Sequence, residues 1–266
     1  MFSGDDMRAG DILLVCLLGL TGAGLIVDAM TGGALGAWLS MNLSAVGVGA
    51  GAALGWIGLA LSPLLLAPAI AAIWGRFASL PGAFERILRA GARTIDALSI
   101  TIADAVRWAA LALVVATAVI VIQRYVFGAS MTKLQESVIY LHALLFLLSS
   151  AAALLTGGHV RVDIFYSKLD QKGRAWTDLA GTYLALIPMS WLILETSRSY
   201  VGGAWRILER SRESDGLPLI FLLKTAIPVF AVMMILQGLS MAARAALTLS
   251  DRPAPPTGEN AGDHEI

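Results

Sequence analysis

The chain has 266 residues, of which 57% are hydrophobic and only 14% charged, with a mean hydropathy of +0.75. A soluble domain carries about 25% charged residues, so this composition places the protein in a bilayer. Basic and acidic residues balance to a formal charge of zero, which argues against nucleic acid as a partner, and the one cysteine, Cys16, excludes an internal disulfide and a cysteine-built metal site.

A membrane-crossing helix needs about 20 mostly apolar residues, and six runs qualify. The first covers 12–27 and ends near Asp28. It reads as an uncleaved helix rather than a signal peptide, because Asp5, Asp6 and Asp11 crowd the region that should be positive. The second lies within 43–73. At 1.5 Å per residue that run would reach roughly 46 Å, against a hydrocarbon core of about 30 Å. Pro63 and Pro68 are expected to end or kink it. The third runs over 108–122 and on to about 127, the fourth over 138–155 and the fifth over 176–193. The sixth covers 219–239, with an amphipathic extension to Leu249.

Lys and Arg in the loops set the expected orientation. With the N-terminus inside, the inner segments hold Arg8, then Arg76, Arg86, Arg89, Arg93 and Arg107. They also hold Arg161, Lys168, Lys172 and Arg174, then Arg244 and Arg252. The outer segments hold half as many: Arg124, Lys133, Arg198, Arg206, Arg210 and Arg212. Both termini are therefore expected in the cytoplasm.

Between the second and third runs, Arg86, Arg89 and Arg93 fall on one helical face. Leu98, Ile102 and Ala105 continue an apolar stripe on another. This pattern predicts a basic amphipathic helix in the membrane interface, holding anionic lipid or bracing a partner. The stretch GVGAGAALG places Gly47, Gly51 and Gly55 at four-residue spacing, with Gly58 and Ser62 beyond. Such a face lets helices touch closely in lipid, within this chain or on another protein. The polar, proline-rich segment from Asp251 is expected to be disordered.

Several chemistries lack their residues. No phosphate-binding Gly-x-x-x-x-Gly-Lys run occurs. Of three histidines only His142 is within a span, which leaves no haem ligand pair. Metal hydrolysis fails on ligand count. Glu136, Glu195 and Lys224 lie near span ends, where a charge is cheap. Lys133 and Glu136 are spaced as a simple surface pair, and Lys224 as a snorkelling or ion-paired lysine. The reading is an accessory membrane subunit without enzyme activity or cofactor. The alternative is an anchoring or assembly subunit of a respiratory or other membrane complex.

One further set of motifs is more specific. VIQRYVFGAS closes the third run, and Glu136 precedes the fourth. Gly158-His159-Val160-Arg161-Val162-Asp163 follows the fourth run, Leu217-Pro218 opens the sixth, and Pro228 lies inside it. From about residue 108 to 249 the chain resembles the small membrane subunit of tripartite ATP-independent periplasmic (TRAP) transporters, the DctQ-like family. The resemblance implies an all-α integral membrane protein with a four-span core at 108–250. That core is preceded by a two-span extension at 1–75 and the interfacial helix at 76–107, and followed by the tail at 251–266.

The same resemblance implies the partners: a large permease subunit that binds substrate and ions, and a periplasmic solute-binding protein, all in or at the bacterial inner membrane with its lipids. It implies uptake of small organic solutes, carboxylates among them, driven by an ion gradient, sodium being expected. It also implies that Gly158, His159, Arg161 and Asp163 pin the cytoplasmic loop against neighbouring helices. Arg124, Arg206, Arg210 and Arg212, with Lys133, are then candidates for the edge of the binding-protein platform.

Overall fold

The structure is a computed structural model, which describes residues 8–158 and 163–256. All regular structure among the described residues is helical, with no strand among them. Helix α1 (Ala9–Met30) is followed by α2 (Ala34–Leu61), a 3-10 turn (Ser62–Leu66) and α3 (Ala67–Trp74). Then come α4 (Gly82–Val126), α5 (Thr132–Leu155), the short α6 (Asp163–Tyr166) and α7 (Gln171–Gly181). A π-helical turn (Thr182–Leu186) leads into α8 (Ile187–Arg206), and α9 (Ile220–Leu249) completes the order. Six helical stretches are long and apolar enough to cross a membrane: Ala9–Met30, Ala34–Trp74, Gly82–Val126, Thr132–Leu155, Gln171–Arg206 and Ile220–Leu249. The protein is an all-α, multi-pass membrane protein.

Helix boundaries follow the breakers rather than the apolar runs. Pro63 and Pro68 each sit in a first turn, so the long second run breaks into α2, the 3-10 turn and α3. The basic helix expected over 76–107 and the span expected from 108 are one continuous helix, α4. No proline interrupts 82–126, and charge alone does not stop a helix. Gly157, at φ +68°, ends α5 in the left-handed conformation that glycine adopts without a Cβ clash. The N–H of Gly158 then reaches back to the carbonyl of Ala153 at 2.8 Å.

The chain divides into two compact units. The first comprises residues 1–56, 100–149 and 197–227. Here α1 meets α4 through Gly10, whose missing side chain lets it approach Thr101 and Ala105; a Cβ would lie 2.5 Å from the Thr101 carbonyl oxygen. Just beyond, Asp11 accepts from Arg107 at 2.7 Å and from the indole of Trp108 at 2.8 Å. Asp104 accepts from Arg8 at 3.0 Å and Arg107 at 3.3 Å. Helix α2 meets α8 where Gly47 faces Trp205. That indole stands edge-on to Phe221, 4.8 Å between centroids, and donates to Thr225 at 2.8 Å.

The second unit comprises residues 57–99, 150–196 and 228–266. Its core is built largely from alanines of α3, α4, α7 and α9, including Ala71, Ala92, Ala175, Ala242 and Ala246, with Leu88, Leu179 and Leu247 among them. Small side chains let the helix backbones approach and pack by dispersion. The Tyr183 hydroxyl donates to the Leu65 carbonyl, tying the π turn to the 3-10 turn. Residues 251–256 fold back onto the unit, and the Pro255 carbonyl accepts from Arg244 at 3.2 Å. The remainder of the expected disordered tail lies outside the described residues.

Candidate functional site

A second polar construction in the first unit is the connection between α8 and α9, residues 207–219. Side chains from α5 and α9 reach its side chains and one of its backbone N–H groups. Glu136, in the first part of α5, accepts the Ser211 hydroxyl on one oxygen and the Leu217 N–H at 2.5 Å on the other. Lys133, one turn earlier, pairs with Asp215 at 2.7 Å. Lys224, in the second turn of α9, pairs with Glu209 at 2.5 Å and lies 3.9 Å above the Tyr200 ring. One carboxylate and two ammonium groups thus fasten the loop at 209, 211, 215 and 217.

This corrects the expected surface pair of Lys133 and Glu136. Both turn to the loop, because an α-helix places residues three apart side by side and both can serve the same neighbour. Lys224 is ion-paired, one of the two roles expected of it. No cluster of three or more metal-ligating residues occurs among the described residues. These contacts hold the connection in place.

Arg210 and Arg212 on this loop, and Arg206 at the end of α8, are exposed and form no ion pair among the described residues. Arg124, at the end of α4, is also exposed, and no hydrogen bond joins it to the loop among the described residues. These three arginines lie on or beside the fastened loop, with the exposed Glu213 among them.

The glycines expected to pack do so within the chain at two positions. A Cβ on Gly47 would meet the Trp205 ring at 2.0 Å, and one on Gly55 would lie 3.3 Å from the Arg198 guanidinium. Gly51 has nothing within 4 Å.

Of the expected cytoplasmic-loop residues, Gly158 is placed at the end of α5. His159 and Arg161 lie outside the described residues, and Asp163 is described only as the first backbone position of α6. The part of that loop in view is held by Arg174, which donates to the carbonyls of Ser167 and Leu169 at 3.0 and 3.1 Å. Lys172 pairs with Asp251 at 2.8 Å.

One buried cluster escaped the sequence reading. Asp96 on α4 pairs with Arg244 on α9 and accepts from Ser240 at 2.8 Å and Gln237 at 3.2 Å. Ser99 donates to Gln237 at 2.9 Å. The available signal was the spacing of Gln237, Ser240 and Arg244, three and seven residues apart on one face of an otherwise apolar helix.

Compared with known families, residues 111–248 match the model of the DctQ component of tripartite ATP-independent periplasmic transporters. No curated protein and no solved structure matches the chain.

Proposed function

The chain belongs to the DctQ family, the small membrane subunit of TRAP transporters, and on that premise we propose that it is the non-catalytic scaffold of an ion-driven uptake system. It packs against a large permease subunit in the bacterial inner membrane and widens that subunit's stationary part. The large subunit binds substrate and sodium, and a periplasmic binding protein delivers small organic solutes, carboxylates among them. Both termini of this chain face the cytoplasm. The family match carries the reading. The fastened α8–α9 loop supports it, since a docking platform must hold its shape while partners come and go.

In this arrangement Arg206, Arg210 and Arg212, with Arg124 and Lys133, form an edge of the binding-protein platform. Long-range attraction by such charges raises the encounter rate more than the final affinity. On the cytoplasmic side, His159, Arg161 and Asp163 pin the loop after α5; normal assembly and transport by an Arg161→Ala, Asp163→Ala double variant would refute that role.

The direct experiment is isolation of the tagged chain from its native membrane in mild detergent, with each companion identified. A stoichiometric partner with many membrane spans is expected. A companion carrying haem or flavin, or none, would overturn the proposal.

A further inference from the structure

Between residues 67 and 99 the chain carries four arginines, Arg76, Arg86, Arg89 and Arg93, and two carboxylates, Glu85 and Asp96. Both carboxylates are committed. Glu85 pairs with Arg89 at 2.6 Å and Arg252 at 3.5 Å, and Asp96 pairs with Arg244. Arg76, Arg86 and Arg93 are exposed and form no ion pair among the described residues.

Their placement is one-sided. Arg86 and Arg93 are seven residues apart, so they share a face of α4. The opposite face carries Leu88, Ala92 and Ser99, all buried in the second unit. Arg89 sits off the exposed face and is spent on Glu85, so the basic face expected from sequence narrows to Arg86 and Arg93. The Nε of Arg86 donates to the Gly82 carbonyl at 3.3 Å, which holds the side chain along the helix.

The preceding helix is one-sided too. In α3, Ala71 and Ala72 are fully buried. Ile70, Ile73 and Trp74 share a face of α3, Phe77 lies in the turn just beyond it, and each is more than half exposed, Phe77 at 84%. These four side chains line a shallow groove with Ala78. Arg76 lies within the same turn. The stripe carries a tryptophan and ends beside Arg76, and the next helix along the chain exposes Arg86 and Arg93; aromatic, apolar and basic side chains together are the composition of a surface at the boundary between acyl chains and headgroups.

We propose that this corner of α3 and α4 is a docking site for anionic phospholipid. The stripe Ile70, Ile73, Trp74 and Phe77 lies among acyl chains, and Arg76, Arg86 and Arg93 take the phosphates. Guanidinium suits this role because its planar fork matches two phosphate oxygens and is weakly hydrated. A hydrocarbon environment alone would account for the stripe but would leave the three cations unmatched. Charge complementarity selects the anionic headgroup.

The test uses the full chain, purified and exchanged into mixed micelles holding phosphatidylglycerol and phosphatidylcholine in equal amounts. Retained lipid is read by native mass spectrometry, so no transport partner enters and the outcome is independent of the scaffold proposal. The wild type should retain phosphatidylglycerol preferentially. The preference should fall about five-fold per arginine removed, since each surface cation contributes about that factor, and it should weaken as salt rises. Arg76→Gln, Arg86→Gln, Arg93→Gln together should abolish it, whereas lysine at the three positions should retain most of it.

Trp74→Ala with Phe77→Ala should lower retention of both lipids and leave their ratio alone. If the triple glutamine variant does not fold, Arg86→Gln and Arg93→Gln singly carry the test, and an unchanged ratio in both would overturn the site. A wild type without preference would also overturn it. So would a folded triple variant that keeps the wild-type lipid ratio.

Discussion

Asp96 and Arg244, 148 positions apart, form an ion pair whose side chains are 13% and 9% exposed. Burying a pair costs desolvation, so its net worth is small, but removing one partner leaves a charge without a counter-ion. Asp96→Ala or Arg244→Ala should each destabilise the protein by about 3–5 kcal/mol. Replacing both by apolar residues of similar volume should cost less than either single change. Melting in detergent distinguishes these outcomes, and equal damage from single and double variants would contradict the assignment.

Glu136→Ala should release the loop at residues 211–217. A hydrogen bond to a charged group contributes about 1.5–3 kcal/mol, and Glu136 accepts from both Ser211 and Leu217. Limited proteolysis should then cut the loop faster, with the transmembrane helices still protected. Glutamine should restore part of the protection, because it keeps one acceptor oxygen. Cleavage at wild-type rate in the alanine variant would show that other contacts hold the loop.

Gly47→Ala and Gly51→Ala should act in opposite directions. At Gly47 the new Cβ meets the Trp205 ring, and overpacking of this kind costs about 1–3 kcal/mol. At Gly51 nothing lies within 4 Å, and alanine favours the helix by about 1 kcal/mol. Gly51→Leu separates two uses of this face. It should leave the isolated chain stable, and it should weaken copurification with the large subunit only if that subunit covers Gly51.

Charge reversal at Arg206, Arg210 and Arg212 should slow uptake when binding protein is limiting. Saturating binding protein should recover much of the rate, because steering charges act mainly on association. The membrane subunits should stay together. Uptake kinetics unchanged across binding-protein concentrations would remove these arginines from the platform.

The number of spans was legible because apolar run length is a local property. The ends were less so. Asn42, Ser44 and the charges around Asp104 and Arg107 interrupt hydropathy without interrupting a helix, so α2 begins at Ala34 and α4 continues from Gly82 to Val126. The partners of Glu136 were not legible: Ser211 and Leu217 are 75 and 81 positions away, and composition does not reveal which residues meet across helices. The Asp96–Arg244 pair was hidden for the same reason, since each residue alone resembles one more interfacial charge.

The contact of Asp11 with Arg107 also has a history in time. The two are 96 positions apart, and at ribosomal speeds of about 5–20 residues per second the carboxylate waits roughly 5–20 s for its partner to be made. Through that interval α1 is already long and apolar enough to have entered the bilayer, with Asp11 in its first turn answered only by water and Arg8. Docking of α1 on α4 is therefore a late event of biogenesis. A change at Asp11 should leave insertion of the first helix intact and act on the step at which it is gathered in.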